Sequence, residues 1–382
     1  MRRITRKARV GKAIGGKYIG RGTFGCSFRP AVRCKTNKSR EPNAISKIML
    51  SSNADAEYKI GPILAKIDPE QIFTLYPYKM CEPELNSSNL DYYANRECYN
   101  ILSKKNKKAI FLKDGGEDLA NVLGKLSKGA LDKGHRNLFR ALKNLFVGLE
   151  HLHSNNFVHL DIKSKNIVCK ITSGNEMRFL GFYIGGKPVY IMKFIDFGMS
   201  EHTENAMRMQ TVFDYITWPF ELRLIKYNYL FGFEELDKAD MDRYYRVVGA
   251  DPVQLYAPYW LLSNTPETPS VDFYKDIHTY TKSQSYEGKL EARRDILKKT
   301  DVYSLGIVLS DCYYSLTSIR KTGKNSYTNS AVGSRQHNEV TVPLFDLVDK
   351  MTNPDYRLRY TAKDARLEYE RVLLAIEAQF KK

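Results

Sequence analysis

The feature that most constrains this chain is the run His-Leu-Asp-Ile-Lys-Ser-Lys-Asn at residues 159–166, followed further on by Asp196-Phe197-Gly198. Asp161 could accept the proton of an attacking hydroxyl, and Lys163 could neutralise a phosphate that is being transferred. Asn166 and Asp196 carry the hard oxygen ligands that Mg²⁺ prefers. The four side chains therefore predict a catalytic site for phosphoryl transfer from a metal-bound nucleotide, with Asn166 and Asp196 as the metal ligands.

A glycine-rich segment near the start of the chain supplies a second part of such a site. Gly20, Gly22 and Gly25 are spaced as G-x-G-x-x-G between two short strand-like runs. Glycine lets the backbone come close to phosphates and adopt turns that a Cβ atom would forbid. The pattern predicts a β-hairpin over the nucleotide, with Ile19 and Ser27 beside the glycines in the binding site.

Two other phosphate-binding motifs do not fit this region. In a dinucleotide-binding fold the third glycine would begin a helix, whereas here a strand-like run and then Pro30 follow it. Residues 11–17 come close to the Walker pattern, but Tyr18 stands where a magnesium-binding Ser or Thr hydroxyl is required. Both alternatives are therefore rejected.

A lysine and a glutamate downstream of the glycines suit a bound nucleotide. The strand-like run 44–50 resembles the protein-kinase strand that ends in the phosphate-binding lysine, which makes Lys47 the candidate cation. Glu57 in the following predicted helix is its candidate acidic partner. We expect Gly61-Pro62 to end or kink that helix. Either charge taken alone would be interpreted as a surface residue, so the assignment depends on their order after the glycines.

The segment after the next buried run is interpreted as a hinge between two lobes. A strand-like run at 109–112 is followed by the polar residues 113–119. Leu112 would form a wall of the adenine pocket, and backbone groups of 113–115 would hydrogen-bond the adenine edge. Asp118 would reach the ribose. These residues complete the predicted nucleotide site.

Taken together, the motifs resemble the catalytic pattern of protein kinases, H-R-D-x-x-x-x-N followed by D-F-G. The resemblance implies an α+β, two-lobed protein-kinase-like fold with insertions, in which a small antiparallel-sheet N-lobe precedes a mainly helical C-lobe. It places a basic N-terminal arm at 1–14, the N-lobe at 15–113 and the C-lobe at 114–382, with an insertion at about 222–295. The implied cofactors are ATP and Mg²⁺. Lys163 resembles the lysine of kinases that phosphorylate Ser and Thr.

Two downstream segments resemble further parts of the kinase pattern. Residues 218–221, which end in Glu221, take the place of the A-P-E signature, and residues 353–362 resemble the segment whose arginine pairs with that glutamate. We predict a largely buried ion pair between Glu221 and Arg359, with Arg357 as the alternative arginine. Asp301, in a D-x-x-S-x-G pattern, would accept hydrogen bonds from the backbone of the catalytic loop.

The chain departs from the kinase pattern at Leu160, where regulated kinases have an arginine that meets a phosphorylated residue. Leucine cannot make such a bond. We therefore expect the activation loop to be held by packing, through Trp218 and Phe213, and activity to be independent of phosphate on the loop. The loop hydroxyls concerned are those of Ser200, Thr203, Thr211 and Thr217.

Hydrophobic periodicity predicts the elements around the catalytic loop. A stripe of large apolar residues predicts an amphipathic helix packed into the core: Leu138, Leu142, Leu145, Phe146, Leu149 and Leu152. The run 302–316 predicts a buried helix. The strand-like runs 177–184 and 187–195 predict an extended hairpin that turns at Gly185-Gly186. His159 is expected to pack and hydrogen-bond rather than to shuttle protons.

The composition and net charge of the chain indicate which kinds of partner it could bind. It has 382 residues, a formal net charge of +17 and 43% hydrophobic residues, which suits a large globular core. The charge favours acidic protein substrates and would also attract nucleic acid, but no nucleic-acid-binding motif accompanies it. No apolar run is long enough to span a membrane.

The cysteines show no pattern that marks a metal site or a disulfide framework. There are six of them, Cys26, Cys34, Cys81, Cys98, Cys169 and Cys312, without a C-x-x-C pair or a histidine cluster. Neither a zinc site nor a set of disulfides is predicted. We expect reduced thiols and a cytoplasmic location.

A less specific pattern around the glycines indicates which group of protein kinases the chain resembles. Cys26, Phe28, Pro30-Ala31 and Cys34, with the later motifs Ile-Ser-Lys at 45–47, Ile-Asp-Pro at 67–69 and Cys81, resemble the serine/threonine kinases of large nucleocytoplasmic DNA viruses. That resemblance implies phosphorylation of proteins in the cytoplasm of an infected cell or inside the virus particle. Two alternatives stay open: a pseudokinase or scaffold that uses the fold for binding, and a small-molecule kinase.

Overall fold

The computed structural model describes residues 16–22, 24–36, 41–85, 96–126, 133–172, 189–207, 218–219, 221–222, 271–316, 320–321, 327–328 and 335–380. These residues separate into two compact units. The first unit lies within residues 1–66 and 75–114, and the second within 67–74 and 115–382. The segment 67–74 therefore belongs to the second unit, although the chain enters and leaves it through the first.

The first unit is built on a five-stranded antiparallel sheet in the order β1-β2-β3-β5-β4. The strands are β1 (Lys17–Arg21), β2 (Gly25–Arg29), β3 (Ala44–Leu50), β4 (Lys79–Cys81) and β5 (Lys107–Lys113). Strand β3 is central and largely buried, with Lys47 opposite Ser27 of β2 and Ile110 of β5. This register places the predicted phosphate-binding lysine in the middle of the sheet.

Helix α1 (Ser51–Ile67) follows β3 directly, and a short helix α2 (Tyr99–Leu102) precedes β5. Of the two alternatives predicted for Gly61-Pro62, an end or a kink of α1, the end is wrong, because the helix continues through Pro62 to Ile67. An interior proline removes one backbone hydrogen bond, and burial of Ala54 and Leu64 stabilises the helix on both sides of it. Gly61 is needed for close packing, since a Cβ atom there would clash with the carbonyl oxygen of Pro77.

Two disulfides join elements of the first unit, Cys26–Cys98 and Cys34–Cys81. The prediction of reduced thiols is therefore wrong for these four cysteines. The partners are 72 and 47 residues apart in sequence, so no local spacing marks them. The fold brings their Cα atoms to 6.2 and 5.8 Å, a separation that a disulfide can span. Cys169 and Cys312 are buried and take part in neither disulfide.

The second unit is mainly helical. Its long helices are α4 (Lys133–Ser154), α6 (Val271–Ser283), α7 (Tyr286–Leu316), α8 (Arg335–Met351) and α9 (Ala362–Gln379). Its short elements are β6 (Glu117–Asp118), α3 (Leu119–Leu123), β7 (Phe157–Val158), a 3-10 helix (Ser164–Asn166), β8 (Ile167–Thr172), β9 (Val189–Phe194), β10 (Glu201–His202), α5 (Thr203–Ala206), β11 (Arg320–Lys321) and β12 (Tyr327–Thr328). The strands form small sheets, β6-β8-β9, β7-β10 and β11-β12.

Helix α4 is the amphipathic helix that the apolar stripe predicted. All six residues of the stripe are buried, and the ring of Phe146 stacks on Tyr369 of α9 with 4.1 Å between the ring centroids. The helix predicted at 302–316 is confirmed as the second half of α7, where Val302, Leu305 and Leu309 are buried. These helices form the core against which the catalytic loop packs.

The strand predicted at 187–195 is present as β9, which pairs with β8. The predicted partner strand 177–184 and the turn at Gly185-Gly186 lie outside the described residues, as does most of the predicted insertion at 222–295. An antiparallel-sheet unit and a mainly helical unit give the α+β class that was predicted. Among the helices that the structure describes, none combines the length and the apolar character needed to cross a membrane.

Candidate active site

The glycine-rich segment forms the turn between β1 and β2, as predicted. The N–H of Gly22 donates to the carbonyl oxygen of Gly25 over 2.8 Å. Gly25 is closely packed, because a Cβ atom there would lie 2.9 Å from Cγ of Met49, 3.0 Å from the carbonyl oxygen of Ile48 and 3.1 Å from Cγ of Lys47. A Cβ atom on Gly20 would meet nothing within 4 Å. The backbone at Gly20 is thus open to a ligand.

Lys47 is held in place by Glu57. Its Nζ atom donates to Oε2 of Glu57 over 2.8 Å, and the two side chains are 11% and 5% exposed. The ion pair predicted from the order of the residues is therefore present. Ser27 lies opposite Lys47 in the sheet register, whereas Ile19 is exposed on β1.

Three of the predicted hinge residues, Leu112, Asp114 and Asp118, make contacts within the protein. Leu112 is half-buried and packs against Met49, Ala54 and Ile110. The N–H of Asp114 donates to the carbonyl oxygen of Asn43, so this amide is already engaged. The adenine contacts expected of backbone groups at 113–115 stay a prediction. The carboxylate of Asp118 accepts hydrogen bonds from Asn121 and caps helix α3. Its ribose contact stays a prediction.

Three of the four predicted catalytic residues contact one another on the catalytic loop. Nζ of Lys163 donates to both carboxylate oxygens of Asp161 at 2.8 Å. Nδ2 of Asn166 donates to Oδ2 of Asp161 at 2.7 Å and to its carbonyl oxygen at 2.9 Å. Asp161 is 7% exposed. Its carboxylate is thus fixed by a cation and an amide, which is the arrangement that a residue orienting an acceptor hydroxyl requires.

Asp196 follows β9 with a left-handed φ of 63°. The N–H of the preceding Ile195 donates to the carbonyl oxygen of Asn166 over 3.0 Å, which places Asp196 beside the loop that carries Asn166. Because the amide nitrogen of Asn166 points to Asp161, its amide oxygen is the atom suited to a metal. An amide and a carboxylate oxygen fit Mg²⁺.

The described residues contain no group of three or more His, Cys, Asp or Glu side chains that could enclose a metal. Mg²⁺ does not need such a cage, because it is commonly held by one or two protein ligands together with substrate phosphates and water. Asn166 and Asp196 would therefore hold a metal only with the phosphates of a bound nucleotide.

His159 has the structural role that was predicted. The side chain is fully buried, and its ring lies 4.6 Å from the ring of Phe197 and 5.6 Å from that of Phe194. Nδ1 accepts the N–H of Asp161 over 3.2 Å, and Nε2 lies 3.2 Å from the carbonyl oxygen of Ile195. This pattern fits the neutral ring with its proton on Nε2.

Asp301 of helix α7 accepts hydrogen bonds from the backbone of the catalytic loop, as its sequence pattern predicted. It is fully buried, and its carboxylate accepts the backbone N–H groups of His159 and Leu160 at 2.7 Å each. His153 contacts the same carboxylate at 3.2 Å. Leu160 has a left-handed φ of 60°, which is uncommon for leucine. The hydrogen bonds to Asp301 hold the backbone in that conformation.

The predicted ion pair between Glu221 and Arg359 is confirmed. Both side chains are fully buried, and Nη1 of Arg359 lies 2.5 Å from Oε1 of Glu221. Arg359 also donates to the carbonyl oxygen of Asn353. Arg357, the alternative, pairs with Asp355 instead, at 2.6 Å. Burial raises the pKa of Glu221, and the charge of Arg359 opposes that rise.

Two hydrogen bonds that hold the catalytic loop were not predicted from the sequence. The indole N–H of Trp218, which was expected to hold the activation loop by packing together with Phe213, donates to the carbonyl oxygen of Leu160 over 2.7 Å. Phe213 lies outside the described residues. The hydroxyl of Ser164 donates to Asp311 of α7 over 2.6 Å. The second pair is 147 residues apart, and no local pattern marks either member.

Comparison with known proteins agrees with this geometry. Residues 15–218 match the family described as the protein kinase domain. The chain belongs to this family, and its antiparallel-sheet and helical units have the two-lobed kinase fold.

Three relatives of known name match this chain over only part of their own length. The meiosis induction protein kinase IME2/SME1 of Saccharomyces cerevisiae is 37% identical over 65 residues, 17% of this chain and 10% of that protein. Calcium-dependent protein kinase 4 of Plasmodium falciparum is 25% identical over 196 residues, 51% of this chain and 30% of that protein. The protein of the same name from Plasmodium berghei is 24% identical over 196 residues. This chain spans no more than 30% of the length of these relatives.

Proposed function

We propose that this protein is an active serine/threonine kinase that transfers the γ-phosphate of ATP to Ser and Thr hydroxyls of proteins. The observation that carries the proposal is the contact of Asp161 with both Lys163 and Asn166. A scaffold that only bound nucleotide would have no need to fix a carboxylate between a cation and an amide. The pseudokinase alternative is therefore the weaker one.

The side chains of the chain divide the work of phosphoryl transfer between them. Asp161 would orient the acceptor hydroxyl and take its proton, and Lys163 would neutralise the transferred phosphate. Asn166 and Asp196 would hold Mg²⁺, which when bound offsets the charge of the β- and γ-phosphates. Lys47, fixed by Glu57, would pair with the phosphates nearer the nucleoside.

Support for Ser and Thr as acceptors comes from Lys163. A lysine two residues after the catalytic aspartate resembles kinases of that specificity. The Glu221–Arg359 ion pair and the match to the protein kinase domain favour protein acceptors over small molecules. The net charge of +17 favours acidic substrates.

We propose that the protein acts in the cytoplasm of an infected cell or in the virus particle. This proposal follows from the resemblance to the kinases of large nucleocytoplasmic DNA viruses. The two disulfides bear on this choice, because disulfides persist under oxidising conditions and are rare in a reducing cytosol. Trapping the thiols with an alkylating reagent at lysis would show in which of the two settings Cys26, Cys34, Cys81 and Cys98 are oxidised.

The test is a phosphotransfer assay with the full chain, radiolabelled ATP and Mg²⁺. Acceptors are peptides that carry Ser, Thr or Tyr in acidic or neutral surroundings, together with an aminoglycoside and choline. We expect label on Ser or Thr of acidic peptides, loss of transfer when Mg²⁺ is removed, and none with Asp161→Asn. Nucleotide binding without phosphate transfer would establish the pseudokinase alternative. Transfer to the aminoglycoside or choline alone would establish the small-molecule kinase.

A further inference from the structure

The glycine-rich hairpin has little support from the sheet itself. Strand β1 lies at one end of the strand order and pairs with β2 alone among the described strands. The register of that pairing shifts between Tyr18 and Gly20. Glycines add conformational freedom at the tip. Holding such a hairpin over a nucleotide costs conformational entropy unless something else orders it.

Glu97 contacts both ends of strand β1. Its carboxylate Oε2 accepts the hydroxyl of Tyr18 over 2.6 Å, and its carbonyl oxygen accepts Nη1 of Arg21 over 2.8 Å. These two donors enclose Ile19 and Gly20, both predicted nucleotide contacts. Burial and the hydrogen bond to Glu97 raise the pKa of Tyr18 to about 12, so its hydroxyl stays a donor at neutral pH.

The next residue, Cys98, is covalently joined to the other strand of the hairpin. Its disulfide partner Cys26 follows Gly25, the last glycine of the turn, and both cysteines are fully buried. Cys98 and Ile101 share one apolar cluster with Phe28 of β2. Tyr18 packs on this cluster, with its ring 6.1 Å from that of Phe28. Two consecutive residues therefore contact both strands of the hairpin.

We propose that Glu97 and Cys98 form a hairpin brace, a pair of positioning residues that orders the glycine-rich hairpin for ATP. The inference rests on the proposed nucleotide site and extends it to the connection between β4 and β5. The brace acts on β1 and β2 and touches none of the residues that would carry the chemistry. Its loss should therefore weaken nucleotide binding and leave the rate of the bound complex nearly unchanged.

The chain offers a matched control for the disulfide. Cys34–Cys81 belongs to the same unit and the same apolar cluster, but it joins residues outside β1, β2 and the turn. A second control serves the Tyr18 contact. The hydroxyl of Tyr78 also bonds a glutamate, Glu41, and neither residue lies on the hairpin.

The first experiment compares the full chain with the double variants Cys26→Ala/Cys98→Ala and Cys34→Ala/Cys81→Ala. We expect the first pair to raise both the Kd and the KM for ATP by about three- to tenfold, with kcat within about twofold of wild type. The control pair should lower the melting temperature but leave the Kd within about twofold. Equal Kd values for the two double variants would overturn the brace.

The second experiment does not depend on removing a disulfide. Tyr18→Phe deletes one hydroxyl and keeps the ring, and should raise the Kd for ATP by about two- to threefold, whereas Tyr78→Phe should not. Hydrogen exchange of residues 17–29 should accelerate in Tyr18→Phe and in the Cys26/Cys98 variant only. Unchanged exchange and an unchanged Kd in Tyr18→Phe would contradict the role of Glu97.

A third measurement separates failure of the brace from failure of the proposed function. Lys47→Ala should weaken ATP binding at least as much as loss of the brace. If wild type binds no ATP, or binds it equally well without Lys47, the proposed nucleotide site is wrong and the brace with it. If binding depends on Lys47 but not on Tyr18 or the Cys26–Cys98 disulfide, the brace alone is wrong.

Discussion

The indole N–H of Trp218 donates a hydrogen bond to the backbone carbonyl oxygen of Leu160 over 2.7 Å. The N–H of the same leucine donates to Asp301, so both polar backbone groups of this residue are engaged. Leu160 is buried and stands where the kinase pattern has an arginine. At this position of the catalytic loop, where the family pattern has an arginine side chain, the chain instead has a hydrogen bond from Trp218 to the backbone of Leu160.

The Trp218 contact predicts a catalytic effect of Trp218→Phe. Phenylalanine keeps most of the apolar contact but leaves a buried carbonyl oxygen without this donor, which costs about 1–3 kcal/mol. Because the lost hydrogen bond is made by Leu160, the residue next to Asp161, we expect kcat to fall by about threefold to tenfold, with little change in the KM for ATP. A steady-state assay and a melting curve check this. A lower melting temperature with an unchanged kcat would show that Trp218 only stabilises the fold.

Activity should not depend on phosphate in the loop after Asp196. Ser200 donates to the carbonyl oxygen of His159 over 2.9 Å, and Thr203 is fully buried against Asn156. Both hydroxyls are therefore already in use. Thr211 and Thr217 lie outside the described residues.

Phosphatase treatment, and replacement of these four hydroxyl residues by Ala or Val, test that independence. We expect kcat/KM to stay within about tenfold of wild type, which corresponds to roughly 1.4 kcal/mol of transition-state stabilisation. A larger loss on phosphatase treatment would mean that phosphate orders the loop through a cation other than the missing arginine. A loss seen only on replacement of Ser200 or Thr203 would reflect their buried hydrogen bonds.

Asp161→Asn and Asp196→Ala should each abolish turnover while the fold is retained. The asparagine cannot take the proton of an acceptor, and loss of a positioned base costs about 10²–10⁴ in rate. Loss of a metal ligand should cost at least as much. Asp276→Asn, an exposed carboxylate of α6, is the control and should keep wild-type activity. Autophosphorylation at the wild-type rate in either catalytic variant would refute the assignment.

Glu221→Ala should destabilise the second unit strongly. The substitution leaves Arg359 fully buried without its ionic partner, and breaking a buried pair in this way costs on the order of 3–5 kcal/mol. The exposed pair Glu204–Arg294 is the matched control, for which we expect at most about 1 kcal/mol. Denaturant titration measures both. Equal midpoints for Glu221→Ala and wild type would contradict the prediction.

Glu377 should contribute stability that disappears in acid. Burial acts to raise the pKa of its carboxyl, but hydrogen bonds from Arg140 and Arg136 outweigh it, and the pKa lies below the ordinary 4.5. A carboxyl with a lowered pKa in the folded state stabilises the fold above the unfolded pKa. That contribution is lost as the pH falls through the folded value.

The difference in unfolding free energy between wild type and Glu377→Gln should therefore be full at neutral pH and shrink below about pH 4.5. Urea titrations across that range measure it. Glu368→Gln, which removes a partner of the exposed Arg371, serves as the control and should show a small effect at every pH. A difference for Glu377→Gln that is constant down to acid pH would refute the assignment.

Much of the candidate site could be predicted from sequence because it is local. Asp161, Lys163 and Asn166 lie on one short loop, so their spacing along the chain nearly determines their spacing in space. Lys47 and Glu57 lie on adjacent elements, a strand and the helix that follows it directly. Glu221 and Arg359 are far apart in sequence, and only the family pattern linked them.

The tertiary structure alone decided the contacts that join distant segments without a shared pattern. Packing of the first unit brings Cys26 to Cys98 and Cys34 to Cys81, and packing of the helical unit brings Ser164 to Asp311. Helix α1 runs through Pro62 because burial on both sides of it outweighs one lost hydrogen bond. Local spacing constrains only neighbours along the chain, whereas such contacts depend on how whole strands and helices pack, which no short run of residues encodes.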